Sequence, residues 1–413
     1  MPRICLVAST SETKVERELR SGSSLSIVSL VEGLIEEADH LRASDIHLDP
    51  GERELRIRLR IDGVLQDVYS FPKEIQSEVI SRIKVLASVR TDEHQTAQDG
   101  RFRVTTEGAG AIDIRVSIAP TYYGENAVLR LLAERAEKFT LATLGFSEED
   151  RAKVERAIKN TYGMILSTGP TGSGKTTALY TVLKMLHAPE VSIITIEDPI
   201  EYAIEGINQI SVNAHTGLTF ANGLRAMLRQ DPDIIMVGEI RDAETAGLAV
   251  NTALTGHLVF STLHTNDAAT TIPRLIDIGI APYLIAATVN LAIGQRLVRK
   301  ICSGCKKKYV LSEKERASLA GFVTDTVRGE LKNVWHGKGC DECNGSGYRG
   351  RIGIYEVIVV DDAIRTAILQ KASAAEIRAH AREHGMSTMV EDGFRKVKDG
   401  LTTIEEVLRV IHA

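Results

Sequence analysis

Residues 169–176 read Gly169-Pro170-Thr171-Gly172-Ser173-Gly174-Lys175-Thr176, matching G-x-x-x-x-G-K-S/T, and lie between a short apolar run at 164–168 and a helix-like segment starting near Thr177. A strand that ends in a glycine loop and opens a helix aims several backbone N–H groups and a helix N-terminus at one point, which makes a phosphate site. The stretch predicts binding of ATP or GTP through residues 169–177. An ordinary glycine-rich turn is the competing explanation, and the strand–loop–helix setting counts against it.

At 413 residues the chain exceeds one ordinary core, so two or three domains are expected. Its hydrophobic (43%) and charged (25%) fractions are those of a globular protein, which excludes a disordered or disulfide-scaffold class. The net charge of −5 argues against a nucleic-acid partner. Basic clusters at Arg296, Arg299 and Lys300 and at 306–308 lack interleaved aromatics and read as a solvated or zinc-supporting face. The apolar run at 4–8 is too short for a signal-peptide core. The longest uncharged stretch, 278–295, contains Pro282, Asn290 and two glycines, a poor membrane span. A cytoplasmic protein is expected, reaching any membrane by docking.

Residues 1–24 are polar and serine-rich and read as a flexible tail. Ile27, Val31, Leu34, Ala38 and Leu41 recur at helical spacing, and 54–61 alternates Leu55, Ile57, Leu59 and Ile61 with Arg56, Arg58 and Arg60. Asp62-Gly63 marks a hairpin turn, and a helix is predicted from Pro72 to Leu86. Strand-like runs at 102–104, 112–116 and 128–132 complete a small α/β domain over 25–135. A linker over 136–150, preceded by charges from Glu134 to Lys138, ends in a helix start at Phe146-Ser147. From 151 to 413, apolar runs at 164–168, 191–196, 234–237 and 258–263 alternate with helix-like stretches, the pattern of a parallel sheet flanked by helices. A cysteine-bearing subdomain at 300–345 and a helical region at 360–413 follow, the latter with capping boxes Ser373…Glu376 and Thr402…Glu405.

Lys175 is expected to neutralise the β- and γ-phosphates, and Thr176 to hold Mg²⁺ through its hydroxyl. Hydrolysis also requires carboxylates at neighbouring strand ends. Glu197 and Asp198 end one apolar run, and Glu239, after Gly238, ends another in the manner of a Walker B strand. Asp198 precedes Pro199, so turn shaping is its alternative role. His257 and His264 bracket the next apolar run and are together assigned to phosphate sensing or subunit bridging, although either histidine alone reads more readily as structural.

The order GPTGSGKT, TIEDPIE (195–201), GLTFANGLRAMLRQDPDIIMVGEIRD (217–242) and TGHLVFSTLHTNDA (255–268) resembles the secretion ATPase superfamily, in particular the GspE/PilB ATPases of type II secretion and type IV pilus assembly. SDIHLDP (44–50), RLRIDGVL (58–65), QDGRF (98–102) and RVSIAPTYYGENAVLRLL (115–132) resemble the domain preceding that motor core. The resemblance covers about residue 25 to the end and leaves a short tail where many members carry further domains; it also places Ala97 where a proline is common. It implies an α/β protein with a RecA-like P-loop NTPase core, a small PAS-like N-terminal domain and a tetracysteine zinc subdomain. It further implies a homo-hexameric ring that hydrolyses ATP with Mg²⁺ and drives an inner-membrane platform protein while held peripherally at the cytoplasmic membrane. Within it, Arg101, Arg115 and Arg130 correspond to arginines that approach phosphate, with solvent-facing strand residues as the alternative. Glu197 is assigned as the water-activating base and Glu239 as the Mg²⁺-side carboxylate, roles that are exchangeable at this level. Arg225, Arg229 and Arg241 lie beside the acidic elements as candidate partners. A ring ATPase for retraction or DNA uptake and a non-hydrolysing nucleotide or zinc adaptor are the alternative functions.

Cys302-x-x-Cys305 and Cys340-x-x-Cys343 form two pairs suited to a closed, structural Zn²⁺ site. Disulfides and vacant thiols are the other readings, and a reducing compartment disfavours the former. By the resemblance, this tetracysteine accompanies assembly and secretion ATPases and is lacking in retraction ATPases. Residues 340–347 also resemble one repeat of a DnaJ-type zinc module, which requires several repeats. Cys5 lies outside the framework.

Overall fold

The computed structural model describes residues 12–106, 110–133, 139–213, 216–322, 328–329 and 331–411. Contacts divide the chain into two units: residues 1–137 with Cys302–Cys305 and Lys338–Gly350, and the remainder. The cysteine pairs therefore make their contacts in the first unit, although their sequence position suggested a subdomain of the second.

The alternation at 54–61 becomes a strand because one face can be buried while its arginines stay wet. Strands β1 (Ala43–Pro50), β2 (Glu54–Ile61), β3 (Val64–Pro72), β4 (Gln98–Thr106), β5 (Gly110–Thr121) and β6 (Gly124–Ala133) form an antiparallel sheet ordered β3-β2-β1-β6-β5-β4. Asp62 and Gly63 both have positive φ, 49° and 85°, and close the β2–β3 hairpin with the twist the strands require. Leu55, Ile57, Leu59, Ile114, Val116 and Leu129 are buried with residues of the helices Ile27–His40 and Gln76–Leu86. Pro72 ends β3 and precedes a short 3-10 turn rather than opening the helix, which starts at Gln76.

The serine-rich segment is not a tail throughout. Thr13 caps a helix at Lys14–Arg20 through a reciprocal capping box with Glu16, and Val15 is fully buried in the sheet domain's core. One apolar residue among polar neighbours carries too weak a periodicity to reveal the helix. Residues 1–11, including Cys5, and the connector 134–138 lie outside the described residues.

The second unit is built on β7 (Gly163–Thr168), β8 (Ile193–Glu197), β9 (Asn208–Ser211), β10 (Ile234–Val237), β11 (Leu258–Leu263) and β12 (Val289–Ile301). A ribbon of β13 (Lys306–Val310) and β14 (Asn333–Gly337) follows, then β15 (Tyr348–Val359). The main sheet runs β15-β12-β7-β11-β10-β8-β9, and the pairings from β12 through β9 are all parallel. β7, β8, β10 and β11 are buried along their whole lengths, as strands covered on both faces must be. The uncharged stretch 278–295 divides into the helix Pro282–Thr288 and the start of β12. Within the expected linker, Leu141–Leu144 is helical, Ser147 caps the helix Glu148–Ala157, and Phe146 stacks on Tyr355 with centroids 3.6 Å apart.

The C-terminal helices are Asp362–Leu369, Ala374–Glu383, Met389–Lys398 and Ile404–Ile411. Ser373 and Glu376 form the expected capping box. At the last helix the cap lies one residue further on: the Thr403 hydroxyl accepts from the Glu406 N–H, while Thr402 donates to the Arg299 carbonyl. Among the described residues no helix is long and apolar enough to cross a membrane.

Because Val15 is the fully buried anchor of Lys14–Arg20, with Leu19 packed against the same core, Val15→Asp should abolish hydrogen-exchange protection of the amides of Arg17 and Ser21, which bond within this turn. Unchanged protection in the intact chain would show that the segment does not depend on that contact.

Candidate functional site

Parallel pairing aligns Thr168 with Leu263 and Val237 with Ser261, so the segments after β7, β10 and β11 leave one edge of the sheet, with β8 alongside. The phosphate loop follows β7 and opens the helix Lys175–Leu186. Gly169 has φ of 146°, and a Cβ there would come within 2.4 Å of the Gln295 carbonyl oxygen. Only glycine satisfies that approach. Gln295 of β12 also donates from Nε2 to the Ser173 carbonyl at 2.7 Å and accepts from the Ser167 hydroxyl at 3.3 Å. The loop is thus braced from a strand far away in sequence.

Lys175 is 8% exposed and donates from Nζ to the carbonyls of Gly169 (2.7 Å) and Pro170 (3.0 Å). Burial pushes its pKa down to about 8, with Glu239 pulling the other way. An incoming phosphate would offset that desolvation. Thr176 and Thr177 occupy the first turn of the same helix and are partly exposed; Pro170, Thr171 and Gly172 are exposed at the loop's tip.

Glu239 follows β10 and is 8% exposed. Its carboxylate meets Arg241 Nη2 at 2.7 Å and His264 Nε2 at 3.1 Å. His264 leaves the end of β11, and Thr168 at the end of β7 donates to the Leu263 and Thr265 carbonyls, each at 3.0 Å. Glu197 ends β8 at 3% exposure. Burial raises its pKa, and hydrogen bonds from Tyr180, Thr195 (2.7 Å) and Gln209 (3.1 Å) counter that rise. Asp198 is exposed beside it, before a cis peptide bond to Pro199. Arg225 pairs with Glu244 at 2.6 Å, and Arg229 donates to the Arg225 carbonyl at 2.9 Å.

His257 stands apart from this group. It precedes β11, at the strand end opposite His264, and donates from Nδ1 to the Thr252 carbonyl at 3.1 Å. Six strand residues span roughly 20 Å, so its assignment to the nucleotide site is corrected to a structural position: parallel strands bring together residues that follow them, not those that precede them.

Arg101, Arg115 and Arg130 lie opposite one another on β4, β5 and β6 in the first unit, and the register continues through Asp45 on β1 to Arg60 on β2. Asp45 accepts from Arg130 Nε at 2.9 Å and meets Arg60 Nε at 3.4 Å. On the next row, the Arg103 guanidinium holds the Asp113 carboxyl below its ordinary value, with Arg101 and Arg115 adding to the effect.

The thiols of Cys302, Cys305, Cys340 and Cys343 all lie within 4.8 Å of one another. Sulfur separations are 3.8 Å for 302–340 and 305–343, and 3.7 Å for 340–343. A tetrahedron with metal–sulfur bonds of about 2.3 Å has edges of about 3.8 Å, so the four sulfurs fit zinc. Burial and the neighbouring thiols push Cys305 up to about 12. At Cys343 the upward pull of burial is overcome by the N–H groups of Cys340 and Gly347, bringing it down to about 7. Those N–H groups favour a thiolate, the ligand form.

Tyr180, Thr195, Gln209 and Gln295 escaped the sequence reading. For Thr195 and Gln295 a polar position inside a buried strand was the available signal, whereas Gln209 lies in the polar, partly exposed strand Asn208–Ser211, which gives none.

Residues 21–409 match the family described as type II/IV secretion system protein. The chain is 43% identical over 394 residues to the type IV pilus assembly ATPase PilB of Myxococcus xanthus, covering 95% of this chain and 69% of that protein. It is 48% identical over 384 residues to the type II secretion system protein E of Pseudomonas aeruginosa, covering 93% and 75%. The structure of the pilus retraction motor PilT with bound ADP superposes with a TM-score of 0.61 at 29% identity, over 92% of this chain and 96% of that one. The Legionella pneumophila ATPase DotB, at 23% identity and a TM-score of 0.65 over 98% of each chain, shares the fold.

Elemental analysis of reduced, purified protein should find one zinc per chain, lost in Cys340→Ser. Less than a tenth of an equivalent in the unmodified protein would exclude the zinc site.

Proposed function

Because the chain belongs to the type II/IV secretion system protein family, we propose that it is a hexameric motor coupling ATP hydrolysis to type IV pilus assembly or type II protein secretion. The carrying observation is the convergence of Lys175, Glu197, Glu239 and His264 at one edge of a parallel sheet. Ligands of open α/β sheets bind at that edge.

Lys175 releases the loop carbonyls and turns its ammonium to the β- and γ-phosphates, while the amides of 172–176 supply further donors. The Thr176 hydroxyl and the Glu239 carboxylate are hard oxygen donors that fit Mg²⁺, whose charge offsets that of the phosphates. Glu197 takes a proton from the attacking water as its oxygen bonds to the γ-phosphorus and the bond to the β-phosphate oxygen breaks, giving ADP and phosphate. Its raised pKa suits it as a base, and its three donors fix its direction. His264, hydrogen-bonded to Glu239, is positioned to respond to loss of the γ-phosphate.

Arg101, Arg115 and Arg130 meet phosphate charge in the assembled ring, because guanidinium groups match phosphate geometry. Recruitment to an inner-membrane platform protein places the motor peripherally at the cytoplasmic face. Bound to four cysteines, zinc is structural, with no position left for substrate.

Lys175→Ala and Glu239→Gln should each reduce steady-state ATP hydrolysis at least about a hundredfold, as loss of a transition-state charge contact does; full turnover in both would refute the site. Tyr180→Phe removes a donor that lowers the Glu197 pKa. The carboxylate then protonates at higher pH, so the acidic limb of kcat should move upward. A downward or absent shift in the pH–rate profile would show that Glu197 is not the titrating base.

A further inference from the structure

Glu356 is a buried acid that the hydrolytic scheme does not use. It lies in β15, is 3% exposed, and accepts the Ala268 N–H on Oε1 at 2.6 Å. Its other oxygen makes a longer contact, 3.5 Å, with the N–H of Met389, the first residue of the helix Met389–Lys398. Ala268 ends the segment that leaves β11 through His264. That segment is tied at one side to the strand before the phosphate loop, through Thr168 and Thr265. At the other side Asp267 pairs with Arg378 of the helix Ala374–Glu383. One loop therefore connects the nucleotide edge with the C-terminal helices.

The strand beside it is shaped for this contact. A Cβ at Gly294 of β12 would come within 2.9 Å of both the Ala268 nitrogen and Glu356 Cγ. Glycine there admits the Glu356 side chain, and the next residue, Gln295, braces the phosphate loop. Arg296, Asp267, Arg378 and Met389 join Glu356 in lining a cavity of about 520 Å³. Burial pushes the Glu356 pKa up to about 7; the Ala268 N–H, Arg378 and Met389 N–H lower it and Asp267 raises it. A carboxylate kept so far from water is costly unless its hydrogen bonds hold something in place.

We propose that Glu356 is a positioning residue for ATP hydrolysis: by gripping the Ala268 amide and the Met389 helix start together, it fixes the His264 loop against the C-terminal helices. Resting on the reading of residues 169–176, 197, 239 and 264 as the hydrolytic site, it adds the contact by which the C-terminal helices hold the His264 loop in place. Nucleotide affinity stays largely untouched, since the phosphate loop is braced by Gln295.

The test uses the full-length chain with ATP, measuring kcat, KM and mantADP affinity for wild type, Glu356→Gln, Glu356→Ala, His264→Ala and the double variant Glu356→Ala/His264→Ala. Glu356→Ala should lower kcat about tenfold and change KM by less than about twofold, as loss of a contact made after binding does. Glu356→Gln, whose amide oxygen still accepts from Ala268, should lower kcat by about threefold and carries the test should the alanine variant fail to fold. The double variant should be no slower than His264→Ala alone, and Glu356→Gln/His264→Ala likewise. Multiplying effects, a loss confined to KM, or unchanged kcat in both Glu356 variants would overturn the proposal. Full activity of Lys175→Ala in parallel would instead remove the site on which it rests, whatever the Glu356 variants do.

Discussion

Parallel pairing of β8, β10, β11, β7 and β12 is the constraint on which the candidate site depends. In a parallel sheet each strand enters from the same side and leaves at the same side, so whatever follows the strands is collected along one edge. Five segments scattered over more than a hundred residues thereby contribute a lysine, two glutamates, a histidine and the glutamine that braces the loop. The same rule displaces His257, which precedes its strand. Apolar residues on both faces of these strands do not by themselves fix the register, since a slip of one residue keeps the hydrophobicity; what it breaks are register-dependent polar contacts such as Gln295 to Ser173 and Thr168 to Leu263.

Several ionisable groups at that edge are kept from water, and their stability follows from how each is satisfied. Lys175 lies on two carbonyls of its own loop, a neutral arrangement that leaves its charge only partly compensated. Glu197 has three donors, Glu239 has a guanidinium and an imidazole, and Glu356 has two backbone amides. A buried charge held by neutral donors can exchange partners at less cost than one locked in a tight ion pair. Lys175 and Glu197, both held by neutral groups, are the two from which the proposed hydrolysis requires a change of partner or proton. Glu239 is held by the Arg241 guanidinium as well as the His264 imidazole, consistent with a fixed role.

The parts of this protein that were legible in sequence are those in which local chemistry and fold agree. Glycines before Lys175, alternation in 54–61, the Asp62-Gly63 turn and the spacing of four cysteines each demand a particular backbone, and the apolar runs identify β7, β8, β10 and β11. Legibility fails where the requirement is tertiary. Gln295 braces a loop over 120 residues earlier in the chain, Gly294 is needed only because Glu356 arrives beside it, and Val15 has a place only because a helix and sheet leave one. The cysteine segments join the first unit by contacts that no spacing rule contains. Cap positions slip by one residue, as at Thr403, because neighbouring threonines have the same local chemistry and differ only in their tertiary partners.

The arginine row is the feature of the first unit least explained by folding. Arg101 faces Arg115, and Arg115 faces Arg130, across adjacent strands, an arrangement of like charges that disfavours pairing by up to about 1 kcal/mol per contact. Asp45 relieves one end by meeting Arg130 and Arg60 together, and Asp113 lies on the next row with Arg103. Guanidinium groups still outnumber carboxylates along the row itself, four to one. Leucine or threonine at those positions would pair equally well in a strand without the repulsion. An antiparallel sheet with one solvated face can tolerate such a row, because water screens the charges that its apolar face could not accept. Such a row is also the kind of surface whose guanidinium groups match an anion such as phosphate bidentately.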